Sequence, residues 1–192
     1  LTSYLHGQVL TSVDVASLLP SSLLFLDSFE SITFLPSTSL ISTFDYFYQF
    51  IASSLSAHDH FELFFSRLPL RPPIDQPCFV HGDFAPQNFL ITQSLPRFSL
   101  VDWEYAGLGY MGFDRGWLLA ASSFRGFFNP APYLKTANDL YFLRFGYFRI
   151  AARLLKRRMA QSFISSLVGR SVDDEFVDPS LLRLRTLLMD FD

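Results

Sequence analysis

The sequence predicts an α+β fold that is mainly α, with a small β hairpin at its active edge. Two observations carry that expectation. From residue 40 onward, apolar residues recur at gaps of three and four, the period of helices with one buried face. Between residues 78 and 101 the pattern changes to three short apolar runs bounded by polar breaks, which read as buried strands.

Taken in order, residues 1–10 end a short apolar stretch at His6-Gly7 and are set apart as a linker; residues 11–192 form the remaining unit. Residues 20–39, rich in Ser, Thr and Pro, predict an irregular connection. Leu40, Ile41, Phe44, Phe47, Tyr48, Ile51, Ala52 and Leu55 then form one helical stripe, with Ser37, Thr38 and Ser39 as N-caps after Pro36. A shorter helix follows over residues 60–68. Pro69, Pro72, Pro73 and Pro77 hold the chain extended into the strand region.

The strand region reads Cys78-Phe79-Val80, Phe89-Leu90-Ile91 and Phe98-Ser99-Leu100-Val101, with Gln93-Ser94-Leu95-Pro96 turning the second run back on the third. Asp114 then opens a helical pattern through Trp117, Leu118, Ala121 and Phe124. Tyr141, Phe145, Phe148, Ala152 and Leu155 continue at gaps of four, three, four and three. Lys156, Arg157 and Arg158 are placed near that helix's C-terminal end, where cations suit the backbone dipole, and read as a solvated basic end. Asp178-Pro179 starts a last helix carrying Leu181, Leu184 and Leu188.

The length fits one domain with a substantial core. Apolar residues make up 49%, with 23 Phe, yet no apolar run reaches the length of a membrane span, so the expectation is no membrane partner. A net charge of −3 with scattered acids gives no reason to expect nucleic acid. The single cysteine, Cys78, cannot form an internal disulfide and fits a reducing, cytoplasmic setting.

The chemistry concentrates in His81-Gly82-Asp83-Phe84-Ala85-Pro86-Gln87-Asn88 and, fourteen residues after Asn88, in Asp102-Trp103-Glu104. Phosphoryl transfer needs a carboxylate beside the acceptor hydroxyl and oxygen ligands that hold magnesium on the phosphates. Asp83 supplies the first, and Asn88 and Asp102 supply the ligands. A hairpin joining the second and third runs brings Asn88 and Asp102 together, because one begins a strand and the other ends its antiparallel partner.

Val80-His81-Gly82-Asp83 with Pro86-x-Asn88, and Asp102-Trp103-Glu104-Tyr105-Ala106-Gly107-Leu108-Gly109 followed by Phe113-Asp114, resemble the aminoglycoside phosphotransferase and choline kinase superfamily, relatives of the protein kinases. The match covers residues 79–118. It implies the C-terminal lobe of a protein-kinase-like fold, with ATP as co-substrate, Mg2+ as metal and a small-molecule alcohol as acceptor. By resemblance His81 and Asp114 support the site, Tyr4, Leu5, Leu90 and Val101 line the nucleotide side, and Trp103, Glu104 and Tyr105 face the acceptor. Gly82 resembles the aminoglycoside and macrolide branches, whereas Glu104-Tyr105-Ala106-Gly107 also resembles choline and ethanolamine kinases, so the branch stays open. An amine-bearing alcohol or sugar is the favoured acceptor. A polycation would want an acidic group such as Asp173, Asp174, Glu175 and Asp178, which reads first as a solvated loop. A quaternary ammonium would want an aromatic cage such as Trp103, Tyr105, Trp117 and Tyr110, which read first as core; neither names the acceptor. A non-catalytic kinase-like binding module is the alternative outside the enzymes.

The N-terminal nucleotide lobe of such enzymes carries a glycine-bearing loop and a phosphate-pairing Lys. Before His81 the chain has one glycine, Gly7, and no lysine. The expectation is therefore a fragment: a C-terminal lobe preceded by a hinge-like linker, with the missing lobe belonging to the parent protein.

Overall fold

The computed structural model describes residues 12–30, 42–56, 58–91, 98–126, 128–167 and 179–189. In chain order these form α1 (Ser12–Glu30), α2 (Thr43–Leu55), α3 (Asp59–Ser66), β1 (Pro77–Val80), β2 (Phe89–Ile91), β3 (Phe98–Leu100), β4 (Gly107–Tyr110), α4 (Phe113–Phe124), α5 (Ala137–Leu167) and α6 (Pro179–Met189). Short 3-10 turns occupy Pro86–Asn88 and Ala131–Tyr133. The fold is α+β and mainly α, as the periodicity predicts.

Aromatic packing fills the centre. Phe44 of α2 meets Phe145 of α5 at 5.2 Å between ring centroids, and Phe113 of α4 meets Phe142 at 5.4 Å. Burying each such ring is worth about 2 kcal/mol, which accounts for the many Phe in a chain of this size. Helices α4 and α5 cross closely. A Cβ on Gly116 would lie 2.3 Å from the Phe142 Cβ, and one on Gly146 would lie 2.5 Å from the Ala120 Cβ. That approach sets the next turn of α5, including Arg149, beside the β-strand region. The N-terminus of α5 is fixed by a reciprocal cap: Thr136 Oγ1 accepts from the Asp139 N–H (3.1 Å) and Asp139 Oδ2 accepts from the Thr136 N–H (2.8 Å).

The strands form two antiparallel pairs. β2 pairs with β3 in the register Phe89↔Leu100, Leu90↔Ser99, Ile91↔Phe98, which is the expected hairpin. Its turn, with Gln93 to Pro96, lies outside the described residues. β1 pairs with β4, Pro77↔Tyr110 through Val80↔Gly107. The sequence reading missed β4 because Gly107-Leu108-Gly109-Tyr110 has no β-branched residue. Gly109 is needed there, since a Cβ would fall 2.7 Å from Val80 Cγ2.

Three further expectations need correction. Of the expected connection over residues 20–39, residues 20–30 are instead the second half of α1, and residues 31–39 lie outside the described residues. Leu19, Leu23 and Leu26 are buried at gaps of four and three. Pro20 sits on the exposed side, and Ser22 and Ser28 donate back to the carbonyls of Leu18 and Leu24 instead of breaking the helix. Apolar burial outweighs the helix cost of the proline. Second, α2 starts at Thr43 with Ser42 as N-cap, its side chain accepting from the Asp45 N–H, so Ser37, Thr38 and Ser39 do not cap it. Third, Lys156, Arg157 and Arg158 lie inside α5, which runs on to Leu167 because no Gly or Pro falls between Arg158 and Leu167. The linker residues 1–10, including Tyr4 and Leu5, and the acidic group at residues 173–178 lie outside the described residues. Among the described residues no helix is long and apolar enough to cross a membrane.

Candidate active site

The loop after β1 is held by backbone clamps. Asp114, on the first turn of α4, accepts from the His81 N–H at 2.6 Å and the Gly82 N–H at 2.9 Å. It braces the loop and does not cap its own helix, whose N-cap is Gly112. Burial pushes the Asp114 carboxyl up to about 7, and the two backbone donors pull against that. Gly82 adopts φ +83°, and a Cβ there would lie 2.3 Å from the Tyr105 carbonyl oxygen. Only glycine lets the loop press against the segment that leads into β4.

His81 ties the loop to β3. Its Nε2 lies 3.1 Å from the Val101 carbonyl and its Nδ1 3.3 Å from the Asp83 N–H. A carbonyl only accepts and an amide N–H only donates, so the ring is the neutral tautomer with its proton on Nε2. Burial lowers its pKa, which agrees with a neutral anchor and not a proton carrier. Trp103 covers the ring at 4.5 Å between centroids.

Asp83 is buried and its carboxylate is divided between two sets of donors. Oδ1 accepts from Arg149 Nη2 at 2.7 Å and from Arg153 Nη2 at 3.3 Å. Oδ2 accepts from Asn88 Nδ2 at 3.1 Å, and the same amide donates to the Asp83 carbonyl at 2.8 Å. Arg149 also donates Nη1 to the Gly82 carbonyl at 2.7 Å, so one guanidinium forks across two consecutive loop residues. Its side chain is 1% exposed and lies between Phe47 (3.5 Å to the ring centroid) and Trp117 (4.1 Å). Burial lowers its pKa to about 9, leaving it charged at neutral pH beside Asp83 and Asp114.

The sequence reading did not single out Arg149 or Arg153. The signal was present: Arg149 falls between Phe145 and Ala152 on the buried stripe of α5. A charge on such a stripe requires a buried partner.

The hairpin register sets the second half of the site. The Val101 N–H donates to the Asn88 carbonyl at 3.0 Å, extending the ladder one step past Phe89↔Leu100. Asp102 follows directly, exposed, with φ 66° in the left-handed region. That conformation costs about 1 kcal/mol for a residue with a Cβ and is best tolerated by Asp and Asn. Since Asn88 spends its Nδ2 on Asp83, Oδ1 is the amide atom left for a cation. The negative charges of Asp83 and Asp102 both act to raise the His81 pKa against the larger lowering by burial. Among the described residues no group of three or more His, Cys, Asp or Glu could hold a metal by itself. Two hard oxygen donors suit Mg2+, whose remaining ligands are normally substrate phosphates and water.

The other expected residues are distributed as follows. Leu90 and Val101 are half-buried on the hairpin. Trp103 and Glu104 are exposed, and Tyr105 packs on Tyr46 and Phe47 at 5.7 and 5.1 Å between ring centroids. Tyr105, Tyr110 and Trp117 spend their rings on the chain's own packing, in line with their reading as core. Tyr110 packs edge-on against Phe44, and the face of Trp117 is covered by Arg149 and Arg153.

The model of the phosphotransferase enzyme family, APH, matches residues 1–152, most of the chain. The chain belongs to this family. Its kinase-like fold agrees: the chain is similar to the solved GDP complex of wild-type aminoglycoside 2'-phosphotransferase-IIIa, at 14% identity and a TM-score of 0.55, over 98% of this chain and 70% of that one. A candidate aminoglycoside phosphotransferase from Ralstonia eutropha JMP134 aligns at 16% identity with a TM-score of 0.48, over 97% of this chain and 69% of that one. No curated protein matches the chain. At these identities the structural likeness concerns the APH fold, and the functional reading rests on the site itself.

Proposed function

We propose that this chain carries the acceptor and metal side of an ATP- and magnesium-dependent phosphotransferase that modifies a small-molecule hydroxyl. The observation that supports the reading is that Asn88 links the Asp83 loop to the hairpin strand that ends one residue before Asp102. Asn88 bonds Asp83 through its amide nitrogen and Val101 through its carbonyl.

Asp83 acts as the base. Arg149 and Arg153 occupy Oδ1, while Oδ2 is shared with a single neutral amide and is the oxygen that receives the acceptor hydroxyl's proton. Asn88 Oδ1 and the Asp102 carboxylate are the groups that would hold magnesium, which when bound neutralises charge on the transferring phosphates. Leu90 and Val101 form the nucleotide-side wall, and Trp103, Glu104 and Tyr105 border the acceptor side. Residues 1–80 contain no lysine, the residue that pairs with the nucleotide phosphates in kinases. Assays therefore belong on the full-length gene product.

The test is consumption of ATP with magnesium against a panel of small alcohols, in the native protein and in Asp83→Asn. Turnover should fall by a factor on the order of 10² or more while nucleotide affinity stays within a few-fold. Near-native turnover in the variant removes Asp83 from the role.

A further inference from the structure

A cleft of about 290 Å³ lies between the catalytic loop, α4 and α5, linked to Asp83 through Arg153, which lines the cleft and donates to Asp83 Oδ1. Gln87 of the loop forms one lip; Trp117, Phe124 and Arg125 of α4 and its C-terminal end, and Arg153 and Arg157 of α5, form the rest. Arg149, Arg153 and Arg157 are spaced four residues apart on one face of α5, so a line of guanidinium groups runs from beneath Asp83 into the cleft.

The charges along that line are unequally matched. Arg149 is paired with Asp83. Arg153 reaches the same Asp83 oxygen at 3.3 Å, with its side chain 34% exposed. Among the described residues Arg125 meets the Gln87 side-chain oxygen, at 3.4 Å. Arg125 and Arg157 are exposed, and among the described residues no carboxylate pairs with either or lines the cleft. The indole N–H of Trp117, on the cleft wall, is buried with no acceptor among the described residues. Among the described residues, the charged groups lining the cleft are therefore all cations, and the Trp117 indole N–H on its wall is an unmatched buried donor.

We propose that this cleft is the acceptor site and that the acceptor is an alcohol carrying an anionic group, a phosphate or a carboxylate. The anion sits among Arg125, Arg153 and Arg157 while its hydroxyl reaches Asp83. This rests on the phosphotransferase reading and departs from the amine-bearing acceptor that family resemblance implies. Among the described residues lining the cleft, a quaternary ammonium or polyamine would face guanidinium groups and no carboxylate, and the one carboxylate nearby, Asp83, is already engaged by Arg149 and Arg153. Arginine suits phosphate and carboxylate because its planar fork donates two parallel hydrogen bonds.

The test uses equilibrium binding to the full-length gene product. Glycerol 3-phosphate, glycerate, glycerol and choline differ in charge at similar size, and inorganic phosphate probes the anion alone; MgATP affinity is measured in the same samples. The expected result is that the anionic alcohols and phosphate bind at least about tenfold more tightly than glycerol and choline. Arg125→Ala with Arg157→Ala should abolish that preference without weakening MgATP; the single Arg157→Glu, at an exposed helix position, should reverse it. The better of glycerol 3-phosphate and glycerate identifies the anion. Equal or choline-favouring binding overturns the proposal, as does an anionic preference kept in the double variant, or MgATP affinity falling together with it. Loss of magnesium-dependent nucleotide binding in the native protein, with the anion preference intact, would instead sink the phosphotransferase reading and leave the anion site standing.

Discussion

Replacing Arg149 with Met isolates what holds Asp83 in place. The substitution keeps an unbranched stem between Phe47 and Trp117 but removes the fork to Gly82 and Asp83. Breaking a buried ion pair from one side costs about 3–5 kcal/mol, because the remaining charge is left without a partner. Arg153 still reaches Asp83 at 3.3 Å, which places the expected loss at the low end, about 3 kcal/mol. Loss of the cation's attraction to two rings is offset by the sulfur–aromatic contacts of Met. In Asp83→Asn with Arg149→Met no buried charge is orphaned, so the double variant should be more stable than Arg149→Met alone. The coupling energy should then be about 2 kcal/mol or more. Urea unfolding followed by circular dichroism gives all four corners of the cycle. A loss below about 1 kcal/mol for Arg149→Met, or additive single costs, would show that the arginine does not hold the carboxylate.

Two other perturbations probe the loop. Gly82→Ala forces a Cβ against the Tyr105 carbonyl in a left-handed conformation, and should cost at least about 2 kcal/mol by the same urea measurement; a neutral outcome would mean the loop can retreat freely. Asp114 is raised by burial from an ordinary value of 3.8 to about 7, so between those values the folded chain keeps a proton that the unfolded chain has released. Its contribution to stability is full below about pH 4 and declines as pH rises toward 7, at up to about 1.4 kcal/mol per unit. Asp114→Asn does not titrate, so the gap between native and variant urea midpoints should narrow across that window. A gap that stays constant or widens contradicts the raised value.

Much of the fold was legible because the apolar period is strong where packing is strongest. Phe44, Phe47, Ile51 and Leu55 in α2, and Tyr141 through Leu155 in α5, sit where their spacing put them. The β2–β3 hairpin followed from two short runs and a polar turn. Helix α1 was hidden by Pro20 and its serines, whose local preferences lost to a buried leucine face. Strand β4 was hidden by glycines that serve close packing on Val80. At the site, spacing alone singled out Asp83, Asn88 and Asp102, and the register put Asn88 beside Val101. What sequence left out was the support from α5, since Arg149 and Arg153 meet Asp83 from 66 and 70 residues away. Composition drew attention to Trp117 as a candidate for a ligand cage, but its face serves the chain's own arginines.

The central claim is that Asn88 and Asp102 hold the magnesium that orders a nucleotide beside Asp83. Calorimetric titration of ATP into the full-length gene product, with and without magnesium, tests it most directly. In the native protein the affinity should rise steeply with magnesium. Asp102→Ala should abolish that dependence, and Asn88→Ala should weaken it less, because it deletes a neutral ligand. Unchanged magnesium dependence in both variants would contradict the account.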